Sequence, residues 1–246
     1  MTFGKIDLLK SELDELRPLP AAAVRNLEQV YRVEWTYNSN AIEGNTLTLL
    51  ETKLVLEEGL TIGGKKLREH FEVVNHSEAI YYVQDVVNRN MELTEYVIKS
   101  IHHLVLKNID DENAGRYRMI NVLISGSGHT PPNFSVLAEK MEQLIQWYDE
   151  HKDKLHPVEL AAEFHFRFVY IHPFSDGNGR TARLLMNLIL MKYGFPPAIV
   201  KAANDARLKY YETLELASMG KNLKPFVQLI AKCVEDSLQK YIGAVK

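Results

Sequence analysis

The sequence predicts a mainly α protein, a helical bundle with one β-hairpin. Three observations predict it. Apolar residues recur at helical spacing along most of the chain. Pro and Gly fall mostly between those runs rather than inside them. Residues 121–132 instead read as two short extended segments about a Ser-Gly-Ser-Gly turn. With 46% hydrophobic residues, the 246-residue chain carries enough apolar side chains for a sizeable core. That length fits one large domain or two small ones.

Taken in order, Arg17-Pro18-Leu19-Pro20 separates a short N-terminal segment from the first long helix, Ala21–Ile42. Gly44 is a natural stop for it. Thr46 is placed to cap the next helix, over residues 48–57. Further helical patterns cover residues 69–88, 94–107, 135–151, 157–171, 180–193, 205–218 and 224–241. The expected organisation is an N-terminal helical segment, residues 1–35, followed by one domain over residues 36–246.

Composition excludes several classes. Lys and Arg number 29 against 32 Asp and Glu, a net charge of −3, so no basic excess points to nucleic acid. The basic run Gly64–Lys65–Lys66–Leu67–Arg68 is short and reads as a solvated loop. The one cysteine, Cys233, excludes an internal disulfide and shares a helical stripe with Phe226, Ile230 and Tyr241, so it reads as core filling. No leader or membrane-length apolar run appears, which makes a cytoplasmic location without a membrane partner the default expectation. His102, His103, His156 and His165 lack metal-ligand spacing, and His102 and His165 read as core histidines.

The run His172–Arg183, HPFSDGNGRTAR, carries the chemistry. His172 precedes Pro173, which pushes it out of helical geometry and ends the preceding helix. Asp176-Gly177-Asn178-Gly179 is turn chemistry, and a new helix follows. Unpaired N–H groups at that helix start make an anion site, with Gly177 and Gly179 allowing close approach. Arg180 and Arg183 are three apart and share a face. Two cations at a helix N-terminus suggest that a polyphosphate offsets them. Asp176 would repel phosphate unless a cation lies between, and Mg²⁺ meets that need. His172 is placed to take a proton from a hydroxyl, and Phe174 reads as an anchor into the core. The run is neither a P-loop nor a kinase glycine loop.

These residues resemble the Fic family of protein AMP-transferases, whose motif is H-x-F-x-[D/E]-G-N-G-R-x-x-R. Every fixed position is matched. The resemblance implies a Fic-fold helical bundle in which His172 deprotonates a Ser, Thr or Tyr hydroxyl of a target protein. That hydroxyl attacks the α-phosphorus of ATP, and pyrophosphate leaves with Mg²⁺. It implies Asp176 as metal ligand, with Gly177, Asn178, Gly179 and Arg180 cradling the α- and β-phosphates and Arg183 meeting the γ-phosphate. Upstream, Ser39-Asn40-Ala41-Ile42-Glu43-Gly44 is similar to the family's inhibitory pattern [S/T]-x-x-x-E-[G/N]. Ser39 and Glu43 are four apart and project from one helix face. The resemblance implies that Glu43 engages Arg183 and blocks the γ-phosphate, with the inhibitory helix over about residues 36–44.

The same resemblance makes the 121–132 segment a flap whose edge docks the target through Val122, Leu123, Ile124 and His129. The preceding Gly115-Arg116-Tyr117-Arg118 also fits the family. Tyr210 and Tyr211 open a helix where the family places its adenine wall. Fic proteins of this kind often pair as dimers, so a homodimer stands beside ATP and the target protein among the implied partners. Two other readings stay open from the sequence: a hydrolase in which Glu43 orients water to remove AMP, and a module that senses nucleotide without chemistry.

Overall fold

A computed structural model of the chain describes residues 2–220 and 222–246. In chain order its helices are α1 (Gly4–Glu15), α2 (Ala21–Ile42), α3 (Leu49–Glu58), α4 (Leu67–Asn88) and α5 (Glu95–Leu106). After a 3₁₀ turn at Phe134–Val136 come α6 (Leu137–His151), α7 (Pro157–Ile171), α8 (Asn178–Lys192), α9 (Asn204–Ser218) and α10 (Lys224–Val245). Local chemistry sets many of these boundaries. Thr48 Oγ1 accepts from the Glu51 N–H at 3.2 Å while Glu51 accepts from the Thr48 N–H at 2.7 Å, a reciprocal cap that starts α3. Gly59 ends α3 with φ 66°. Thr94 caps α5, and His156 with Pro157 starts α7.

Helix α8 is the axis of the bundle. Every side chain from Arg180 to Leu190 is buried, which a helix tolerates only when packed on all sides. Helix α7 packs along it most extensively, and α4, α5 and α2 cover its remaining faces. Helix α1 lies on α10 and contributes Phe3, Ile6 and Leu13 to the same core as α8. A small satellite cluster, Leu47, Val55 and Val73, sits under α3. Residue 36, the sequence-derived domain boundary, lies in the middle of the unbroken helix α2.

Two expectations are corrected. Thr48, not Thr46, caps α3; Thr46 instead binds Glu69 through its N–H and hydroxyl, both at 2.7 Å. The β-hairpin is absent: no strand occurs among the described residues, and residues 119–133 form a loop with a turn closed by Ser127 N–H to Ile124 O at 3.1 Å. The reason is chemical. Pro131 and Pro132 take away one inward-facing ladder donor at the base of one arm, which weakens pairing there. The buried guanidinium of Arg118 takes over, donating to Ile120 O at 2.8 Å and Pro132 O at 2.6 Å. It tethers the two arms without pairing them.

Candidate active site

The loop between α7 and α8 is built from its own side chains. Asn178 closes it: Oδ1 accepts from the Phe174 N–H at 3.0 Å and Nδ2 donates to Phe174 O at 2.8 Å. Phe174 is fully buried, which contributes about 1.5–3 kcal/mol. It stacks on His102 with ring centroids 3.5 Å apart. His102 accepts from the Gly115 N–H at Nδ1 (2.9 Å), so Nε2 carries the proton and donates to Asp176 O at 2.9 Å. Gly177 sits at φ 74°, and a Cβ there would press on Val105 at 3.2 Å. No side chain caps α8, leaving its first N–H groups open to an anion.

His172 ends α7 in the left-handed region, φ 50°, a conformation costing about 1–2 kcal/mol. Arg118 holds it there by donating from Nε to His172 O at 2.9 Å, while the Arg118 N–H reaches Pro173 O at 3.0 Å. Burial pushes the His172 pKa down to about 4, against the Val169 backbone and Glu43, which favour the charged form. The imidazole is therefore neutral at pH 7 and able to accept a proton.

Arg183 is the most fully bonded side chain of the site. Its Nε donates to Ser39 Oγ at 3.0 Å; Nη2 donates to Ser39 O at 2.8 Å and to Glu43 Oε1 at 2.7 Å. Nη1 donates to the Tyr210 hydroxyl at 3.2 Å. Tyr210, thus an acceptor, donates to His165 Nε2 at 3.0 Å. Ser39 and Glu43 come from the last turn of α2, whose final carbonyl, Ile42 O, accepts from Arg207 (2.8 Å) and Tyr211 (3.1 Å). Of the two tyrosines, Tyr210 is 1% exposed and serves Arg183, whereas Tyr211 is 40% exposed.

Asp176 faces the other way. Its Oδ1 accepts from the Gly177 N–H at 2.5 Å and Arg180 Nη2 at 3.2 Å; its Oδ2 accepts from Arg68 Nη2 at 2.5 Å. Glu72 Oε1 completes a ring, 3.1 Å from Arg68 Nε and 3.4 Å from Arg180 Nη1. Burial would raise the Asp176 pKa, but Arg180, the Gly177 N–H and Arg68 together hold it below the usual carboxylate range. Arg68 is thus no solvated loop residue: it stands in the first turn of α4 and reaches the motif.

A cleft of about 530 Å³ opens between these elements. Glu43, His172, Gly179, Tyr210 and Tyr211 line it from one side, and Ile124 and His129 from the 119–133 loop. Asp176, Asn178, Arg180, Arg183, Val122 and Leu123 lie outside its lining. Leu123 is 85% exposed, and His129 is held by Tyr170 O at 2.8 Å. The loop tip is pinned to α9, because Glu215 accepts from the Ser127 hydroxyl and from the Gly128 N–H at 2.8 Å.

Among the described residues no three His, Cys, Asp or Glu gather into a metal site. Asp176 is a single ionised carboxylate, 44% exposed in its side chain, at the start of α8. One carboxylate completed by phosphate oxygens and water is a Mg²⁺ donor set, so the residues fit a metal that arrives with a nucleotide. No described helix is long and apolar enough to cross a membrane.

Sequence reasoning gave no role to Arg118, Glu72 or Glu215, and read His102 and His165 as core histidines, which they are, without naming what they support. The i,i+4 spacing of Arg68 and Glu72 was a signal for that pair. The others act over long sequence separations that carry no local pattern.

The model of the Fic/DOC family matches residues 92–190. The chain is 39% identical to a protein adenylyltransferase Fic of Nematostella vectensis over 97% of its own length and 56% of the relative's. It is 38% identical to that of Drosophila ananassae, over 98% and 48%. It thus spans about half the length of these relatives. Among solved structures, Fic-1 from C. elegans superimposes with a TM-score of 0.87 at 37% identity, covering 98% of this chain and 71% of that one. A Fic domain containing signaling protein from Bacteroides thetaiotaomicron gives 0.90 at 31% identity, covering 98% of both.

Proposed function

Because the chain belongs to the Fic/DOC family, we propose that it is a protein adenylyltransferase that moves AMP from ATP to a Ser, Thr or Tyr hydroxyl of a target protein. Its resting state is held down by Glu43. The observation that carries this reading is the ion pair at 2.7 Å between the buried Arg183 and the partly exposed Glu43, beside the neutral imidazole of His172. A carboxylate and a phosphate compete for the same guanidinium, so the pair keeps a γ-phosphate from Arg183.

In the released state the triphosphate lies across the open N–H groups of α8, with Gly177 and Gly179 admitting it closely. Arg180 meets the inner phosphates and Arg183 the outer one. Asp176 would hold Mg²⁺, which would supply charge neutralisation for the phosphates. His172 takes the proton of the target hydroxyl as its oxygen bonds to the α-phosphorus; the bond to the β-phosphate oxygen breaks and pyrophosphate departs. The phosphate charge raises the His172 pKa from its depressed resting value, which improves it as a base only once ATP is seated. The target docks on the 119–133 loop, where Val122, Leu123 and Ile124 offer apolar contact and His129 anchors the base of the segment. Tyr211, the exposed tyrosine, is the adenine contact.

Glu43 lines the same cleft as His172, which favours a second direction at the same site, the hydrolytic removal of AMP by a water that Glu43 orients. One experiment addresses both. The Glu43→Gly chain with ATP and Mg²⁺ should incorporate roughly 10–100-fold more AMP, read by intact mass or radiolabel. Adding His172→Ala should abolish it. Unchanged labelling in Glu43→Gly sinks the inhibitory role. AMP release from a pre-modified target by the unsubstituted chain, lost in Glu43→Gly, assigns the hydrolytic direction.

A further inference from the structure

We propose that Arg68 is the built-in counter-cation of Asp176: it occupies the carboxylate that a divalent cation must take, and so sets how tightly the loop holds a metal. The inference rests on the assignment of Asp176 as the metal ligand.

Arg68, Asp176, Arg180 and Glu72 alternate in charge around one ring, with contacts of 2.5, 3.2, 3.4 and 3.1 Å. The two arginines in it are not equivalent. Arg180 has a side chain 3% exposed and cannot leave, whereas that of Arg68 is 53% exposed. Asp176 Oδ1 is committed to the Gly177 N–H and Arg180, both fixed parts of the α8 start. Its Oδ2 faces Arg68. That oxygen is the exchangeable ligand position, because an ion pair with a half-exposed guanidinium is held only weakly. A divalent ion can therefore replace the guanidinium without disturbing the loop. Glu72, held through Oε2 by Asn45 at 2.9 Å, keeps Arg68 parked nearby by its contact with Nε. The positive charge that remains near the carboxylate lowers metal affinity further.

The test uses the full chain with ADP and Mn²⁺ as probe, the ion being read by electron paramagnetic resonance titration as the binding that the protein adds over ADP alone. Arg68→Gln should bind Mn²⁺ roughly five- to tenfold more tightly than the unsubstituted chain. Arg68→Lys, which keeps the charge, should stay near the unsubstituted value, and Asp176→Asn should remove binding in either background. A merely structural ion pair predicts a different pattern: a lower melting temperature for Arg68→Gln with unchanged or weaker Mn²⁺ binding. That result overturns the counter-cation role while Asp176 stands. Persistence of Mn²⁺ binding in Asp176→Asn overturns both, by removing the ligand assignment itself.

Discussion

Arg180 and Arg183 lie three residues apart on α8, and both are almost fully buried, yet their surroundings treat them oppositely. Arg183 spends its donors on Ser39, Glu43 and Tyr210. Arg180 has one hydrogen bond, to Asp176, and its Nε and Nη1 have no hydrogen-bond partner within the described residues. Nη1 is left with an ion contact to Glu72 at 3.4 Å. A buried guanidinium short of acceptors is under-satisfied, and an incoming phosphate oxygen repairs it without evicting anything. A saturated one must first lose a partner. The contrast separates two tasks within one helix turn. On the proposed function, Arg180 is ready for an anion at all times, whereas Arg183 is available only after Glu43 moves.

The largest expected effect comes from acid, and it draws on both sides of α8. Burial and the Arg183 charge push His165 down to about 3, and burial with Arg183 and Arg180 depresses His76. On the loop side, His102 and His172 are each pushed to about 4. All four are neutral when folded but titrate near 6.5 when unfolded. The sign follows: the unfolded state binds protons first, so stability is full above pH 6.5 and falls as the pH drops towards 4. The loss should be on the order of 1–2 kcal/mol per imidazole between pH 7 and pH 5. Urea titrations at those two values measure it. A flat profile would mean that water or relaxation already charges these rings in the folded chain.

Arginine truncation comes next. Arg183→Ala leaves Ser39, Glu43 and Tyr210 without their shared donor and should cost about 3–5 kcal/mol in urea unfolding. Arg180→Ala removes a residue that is poorly bonded already and should cost about 1–2 kcal/mol. Equal costs would erase the distinction between a saturated and an under-satisfied arginine.

Much of this contrast was legible before the fold was known, and the illegible part has a common cause. The loop from His172 to Arg183 carries much of its geometry locally: Pro173 ends the right-handed helix, Gly177 makes the turn, and Asn178 closes on Phe174 four residues back, while the left-handed conformation of His172 is held by the distant Arg118. Ser39 and Glu43 were visible as a pair because helical spacing places them on one face. What brings them to Arg183 is the packing of α2 on α8, across 140 residues, and only the family resemblance suggested it. Arg68 was misread because a five-residue basic run looks like solvent-facing charge, while its partner Asp176 lies 108 residues on. The hairpin failed for a local reason that was present in the sequence. Two prolines at the base of one arm weaken pairing there, and Arg118 engages a carbonyl of each arm instead.

The smallest expected effect isolates Glu43 from the helix it touches. A Cβ built on Gly179 would overlap Glu43 Oε1 and sit 3.2 Å from Arg183 Nη1. Helix α8 does not need that glycine for its own sake, since Ala is better than Gly in a helix by about 1 kcal/mol. Glu43 is 34% exposed in its side chain and ends in a flexible carboxylate, so it is the group that yields. Gly179→Ala should therefore loosen the Glu43–Arg183 contact and raise AMP incorporation, by about tenfold or less. The added methyl also stands where a phosphate approaches the start of α8, and that effect has the opposite sign. Placing Gly179→Ala in the Glu43→Gly background separates them. With Glu43 gone only crowding of the nucleotide remains, so the double variant should incorporate less AMP than Glu43→Gly alone. If the single variant also falls below the unsubstituted chain, crowding dominates. The glycine is then kept for the ligand rather than for the seat of the inhibitory carboxylate.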